Sequence, residues 1–214
     1  TGCADPPPLP LPPHDRTTQK VNINTTTSDS YYTDCKSNSA VRIWPAGLKI
    51  EGDVSISLKC KVIIEGDVWI TGNLKLENSS QIVVSDTITL GGINTVDSNY
   101  PTIMVDGSSG IEILNSSEIV SNSSDVGAQL ITYWSDSACS PDCANVTGQE
   151  LFDSSDLTTI YLEQSAQAPG SILYAKWSQI DLNNGGDIGA LIGQKVKLRN
   201  SAAVTFGASV GGGG

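Results

Sequence analysis

From Leu48 onward the apolar residues of this chain arrive in pairs two positions apart: Leu48/Ile50, Val54/Ile56, Val62/Ile64, Val68/Ile70, Leu74/Leu76, Ile82/Val84 and Ile88/Leu90. Alternation with period two turns both members of a pair to one side of an extended backbone, so each pair marks a minimal β-strand. The pairs begin 6, 8, 6, 6, 8 and 6 residues apart, and every three strands therefore consume 20 residues. Laying 46–65 over 66–85 puts Leu48 on Val68 and then Ile88, Ile50 on Ile70 and Leu90, Val54 on Leu74, Val62 on Ile82 and Ile64 on Val84. The corner glycines Gly52, Gly72 and Gly92 coincide as well. A unit of three short strands with a recurrent turn glycine cannot bury its own apolar face and must stack on its neighbour. The spacing predicts an all-β fold, a single-stranded right-handed parallel β-helix (β-solenoid) with about 20 residues per coil in the first coils and six to eight coils in all. A sandwich of hairpins would show longer strands joined by Asn-Gly or Asp-Gly turns.

Past Leu90 the pattern continues through Ile103/Val105, Ile111/Ile113 and Ile119, and resumes at Ile160/Leu162, Ile172/Tyr174, Ile180/Leu182, Val196/Leu198 and Val204/Phe206. Between them, 134–157 breaks the register and reads as a loop excursion from one coil. Ahead of the repeats, residues 6–13 are Pro-Pro-Pro-Leu-Pro-Leu-Pro-Pro, a polyproline II spacer. The expected organisation is a Pro-rich stalk and N-terminal cap at 1–44, a β-helix domain at 45–207 and a flexible Gly-rich tail at 208–214.

Composition narrows the function. Twelve Lys and Arg against 23 Asp and Glu give a net charge of -11, which excludes the clustered cations that bind a phosphate backbone. No apolar run is long enough to span a bilayer. The five cysteines stand at 3, 35, 60, 139 and 143. Cys139 and Cys143 flank Ser-Pro-Asp, a turn that suits a small disulfide, and no second pair of ligands lies near them to make a metal site. A disulfide implies an oxidising, extracellular setting. Cys3 and Cys35 are candidates for a second pair, with Cys60 left over.

Parallel β-helices include polysaccharide lyases and hydrolases, whose chemistry needs converging carboxylates. Glu51, Asp53, Glu65 and Asp67 are the acidic candidates, but the 20-residue stacking sets Glu51 on Thr71, Asp53 on Asn73 and Glu65 on Ser85, so no acidic ladder forms. No cofactor motif is present. Asp181-Leu-Asn-Asn-Gly-Gly-Asp187 offers oxygen ligands at alternate positions but lacks the spacing of a calcium loop and reads as a turn. Outward aromatics are the remaining candidates for a glycan or protein contact: Trp69, whose ring should face away from inward Val68 and Ile70, with Trp134 beside the excursion and Trp177 at a late corner. The alternative is that the N-terminal segment or the 134–157 excursion covers them.

The stretch Leu-Lys-Ile-Glu-Gly-Asp-Val…Val-Ile-Ile-Glu-Gly-Asp-Val-Trp-Ile-Thr-Gly-Asn-Leu (48–74) resembles coils of the β-solenoid domains attached to bacterial type IV pilus minor-pilin-like proteins. The run from Gly170 to Phe206, with Tyr174-Ala175 and Gly189-Ala-Leu-Ile-Gly-Gln-Lys195, is similar to their closing coils, although Lys176 stands where that group carries proline. The resemblance covers about 160 residues. It implies display on a pilus, fimbrium or cell surface, and an N-terminal hydrophobic helix in the parent protein that this sequence does not contain. The reading is a secreted, structural or adhesive subunit or tip domain with no catalytic role and no metal or cofactor. Its partners are other filament subunits, including self-stacked copies, and glycans. A carbohydrate-binding module using outward aromatics is the first alternative, and a β-helix lyase or hydrolase the second.

Overall fold

The structure is a computed structural model and describes residues 23, 25–90, 99–132, 158–184, 186–202 and 204, without the side chains of 176, 177 and 194. It is all-β with parallel sheets. The first strands are β1 (Thr25–Thr27), β2 (Asp34–Cys35) and β3 (Val41–Trp44), with one helical turn, α1 (Ser30–Thr33), between β1 and β2. Then come β4 (Leu48–Ile50), β5 (Val54–Ile56), β6 (Lys61–Gly66), β7 (Val68–Ile70), β8 (Leu74–Leu76) and β9 (Gln81–Thr89). The later strands are β10 (Thr102–Val105), β11 (Ile111–Ile113), β12 (Glu118–Val120), β13 (Gln129–Thr132), β14 (Thr158–Glu163) and the two long strands β15 (Ala168–Asn183) and β16 (Ile188–Arg199).

From β1 to β11 each strand pairs, in parallel, with the third strand after it. The pairing runs Leu48↔Val68, Ile50↔Ile70, Val54↔Leu74, Val62↔Ile82 and Ile64↔Val84, the register that the 20-residue spacing predicts. The stacking already starts at Thr25, which pairs with Leu48.

Two expectations of register are corrected. Ile88 and Leu90 do not continue the ladder of Val68 and Ile70: Ile103 and Val105 do. β9 instead runs on to Thr89, beyond a register shift opposite Gly66, so this repeat is 35 residues long, counted from Val68 to Ile103. The corner glycine follows the same rule. Gly107, and not Gly92, donates its N–H to Gly72 O at 2.9 Å, as Gly72 does to Gly52 O at 3.1 Å. The second correction is a one-residue slip at Ile172/Tyr174. Leu130 pairs with Leu173 and Ile131 with Tyr174, so the inward pair is Leu173 and Ala175, while Tyr174 lies on the opposite face. A period of two makes any such slip exchange the faces of every residue in the strand.

The inward ladders are aliphatic. Leu48, Val68, Ile103, Leu130 and Leu173 form one, and Ile56, Leu76, Ile113, Leu162 and Leu182 another, all fully buried. Each such side chain contributes roughly 1.5–3 kcal/mol through burial. Near the first layer, α1 is capped by Asp29, whose carboxylate accepts from Tyr31 N at 2.8 Å. Tyr32 packs onto the core, and the Arg42 guanidinium lies 4.6 Å from the Tyr31 ring centre. At the far end Val196 and Leu198, in register with Ile180 and Leu182, remain 40% and 52% exposed.

The excursion expected at 134–157, with Trp134, Cys139 and Cys143, lies outside the described residues, as do the segment 1–22 and the expected tail at 208–214. The Cys60 thiol, expected to be left over, is instead bonded to Cys35. Cys35 ends β2, directly over Ile56 of β5, and the chain turns from β5 to Cys60 within four residues; parallel stacking thus brings the two Cα atoms to 6.0 Å. That also removes Cys35 as a partner for Cys3. Among the described residues no helix is long and apolar enough to cross a membrane.

Candidate interaction surface

The outer side of the sheet formed by β1, β4, β7, β10, β13, β15 and β16 carries one row in register: Thr26, Lys49, Trp69, Met104, Ile131, Tyr174 and Ile192. Trp69 stands on this side because its neighbours Val68 and Ile70 point inward, as the alternation requires. Its ring is only partly buried. Lys49 Nζ sits 4.7 Å from the ring centre, a cation–π contact, and the indole Nε1 donates to Asp106 Oδ2 at 2.9 Å. Lys49 also pairs with Glu51 at 3.0 Å.

Beyond Trp69 the row changes character. Met104, Ile131 and Tyr174 are 0%, 1% and 2% exposed although they lie on the outer face, and Trp69, Ile192 and Ile23 pack against them. A side chain on a bare sheet has neighbours only beside it, so burial this complete requires a covering layer. Period-two reasoning missed these residues, yet their strands signal them. Thr-Ile-Met-Val at 102–105 and Gln-Leu-Ile-Thr at 129–132 are buried at every position, and within them Ile103-Met104-Val105 and Leu130-Ile131 are consecutive apolar residues, as in a strand covered on both faces.

Two of the acidic candidates, Asp53 and Asp67, are engaged in holding corners. Asp53 Oδ1 accepts from Asn73 N and Nδ2 at 2.8 and 2.9 Å, and Asn73 Oδ1 in turn accepts from Ser109 N and Gly110 N at 2.8 and 3.1 Å. Asp67 is buried, and its carboxylate accepts from Thr102 N at 2.8 Å. Asp181 and Asn183 belong to β15 rather than to a loop. Arg199 holds the buried Asp181 through two bonds, of 2.9 and 2.6 Å, and this pairing raises the guanidinium above its ordinary range. Burial, then the bond to Glu163, raises the Tyr161 phenol. No cluster of three metal-binding side chains occurs among the described residues.

A second corner is built from consecutive residues in the left-handed region: Leu58-Lys59, Asn78-Ser79, Asn115-Ser116, Gln164-Ser165 and Asn200-Ser201, with φ between 49° and 66°. Asn tolerates that conformation better than most residues, which explains its recurrence there. Lys59 N donates to Asn78 O and Ser79 N to Asn115 O, so the corners stack as the strands do. A shallow groove passes Asn38, Leu58, Asn78 and Asn115 on this side.

Of the residues singled out in the sequence, then, Trp69 is on the outer row, Trp134 lies outside the described residues, and Trp177 is in β15 with its side chain undescribed. No family model matches this chain, and no curated protein or solved structure matches it.

Proposed function

We propose that the chain is a non-catalytic structural or adhesive module of an extracellular surface filament, of the type IV pilus-like kind that its sequence resembles, built as one right-handed β-helix. The parallel pairing supports the right hand, because a connection between parallel strands of one sheet is right-handed in nearly all cases. The observation that carries the functional reading is the use made of polar side chains at the corners. Asp53, Asn73 and Asp67 satisfy backbone N–H groups of the following layer, and Arg199 neutralises Asp181. These groups are committed to holding the stack in register. The Cys35–Cys60 disulfide supports an oxidising compartment.

Immunogold labelling of intact cells, with negative-stain microscopy of the purified chain from dilute to concentrated, tests the reading. Gold along or at the tip of surface filaments is the expected result. Label confined to the cell interior would sink it. The carbohydrate-binding alternative is favoured only if a glycan array gives binding that Trp69→Ala abolishes, and Lys49 over the indole ring leaves one face at most for a sugar.

A further inference from the structure

The buried outer row needs an occupant, and the chain entering β1 points to one. Ile23 lies two residues before Thr25, the first residue of the sheet, yet it packs on the cluster of Met104, Ile131 and Tyr174. β1 and β10 are three strand spacings apart, roughly 14 Å. To reach that cluster Ile23 must lie over the outer face, on the side of β4 and β7, and not beyond the sheet edge. We propose that the Pro-rich segment 6–22 is an intramolecular strap, lying along the stack on the row Trp69, Met104, Ile131 and Tyr174.

The chemistry of the segment fits the surface. A polyproline II chain has no internal hydrogen bonds and loses little entropy on docking, and proline-rich segments bind faces lined by aromatic rings. Trp69 and Tyr174 supply the rings, with Met104 and Ile131 between them. Leu9 and Leu11 are the apolar side chains within the proline run. Reach is ample: 17 residues in polyproline II extend about 50 Å, and seven strands of sheet span roughly 30 Å. The strap would also explain why burial on this row reaches strands far from β1.

The test uses the full chain with Leu11→p-benzoylphenylalanine, irradiated at low concentration, and mass spectrometry of the products. The expected product has monomer mass and joins residue 11 to a peptide containing Trp69, Met104, Ile131 or Tyr174, well above the yield from the same group placed at Ser209. A stalk projecting into solvent would give no such product, and that result overturns the strap. Capture of Met104 from a probe at Asn145 but not at position 11 overturns it too, in favour of the 134–157 excursion. Products of dimer mass would make a second copy the occupant. Circular dichroism and an intact Cys35–Cys60 bond confirm that each labelled chain is folded.

Discussion

A few side chains decide how tightly successive layers hold. Asn73 both donates to Asp53 and accepts from the N–H groups of Ser109 and Gly110, so it joins three layers at one corner. Asn73→Ala leaves those groups to water or to nothing, and the expected loss is about 2 kcal/mol in urea unfolding. Leu58 is the exception in the left-handed corner: φ is 54°, its side chain is 51% exposed, and Asn stands at the equivalent place in the next two layers. Leu58→Asn is expected to stabilise by about 0.5–1 kcal/mol, a rise in unfolding midpoint without a change in slope. Asp86 accepts from Ser123 N at 2.8 Å, and that bond lowers its carboxyl below the ordinary value of 3.8. A depressed carboxyl stabilises above its unfolded value and loses that contribution as pH falls through the folded one. The Ser123 amide resonance should therefore titrate with a midpoint below pH 3.8, and the step should vanish in Asp86→Asn.

At the scale of elements, the disulfide and the corner glycines set how closely layers approach. Cys35 and Cys60 are 25 residues apart, so their bond closes a loop of modest length. Reducing it, or Cys60→Ser, is expected to cost about 3 kcal/mol, read as a lower midpoint in denaturant, and neither thiol should alkylate before reduction. Gly72 has no room for a methyl group, because a Cβ there would run into the Gly52 backbone, and at Gly107 it would run into Asn73. At Gly52 the space is open, although its φ of +96° strains any other residue. Gly72→Ala should thus separate two layers and lose more stability than a surface Gly→Ala in a strand, by thermal melting.

The described strands pair in parallel layer upon layer, and stability should be graded along that order. β7 and β10 have partners on both sides, whereas β16 pairs only with β15 among the described strands and leaves Val196 and Leu198 exposed. Hydrogen exchange is expected to be slowest at β7 and β10 and fastest at β16, with protection falling off toward that end. Uniform protection throughout would mean that the layers unfold as one unit. The exposed inward positions of β16 contrast with the first layer, where α1 and Tyr32 pack over the core. Any further stacking on this chain is therefore expected at the β16 end.

What the sequence determined by itself was the repeat. Period two and a 20-residue unit settle which residues face inward from Leu48 to Val84, because one buried face leaves a strand no freedom of register. The same pattern could not say that Ile103, not Ile88, continues the ladder, since an insertion between strands changes no residue's hydropathy. Nor could it place Tyr174 outward: Ile172-Leu173-Tyr174-Ala175 is apolar throughout, and only pairing with Leu130 and Ile131 selects the face. The covered row of Met104, Ile131 and Tyr174 and the Cys35–Cys60 bond were likewise decided in three dimensions. Both depend on which layer lies against which, and that proximity arises only when layers distant in sequence are packed.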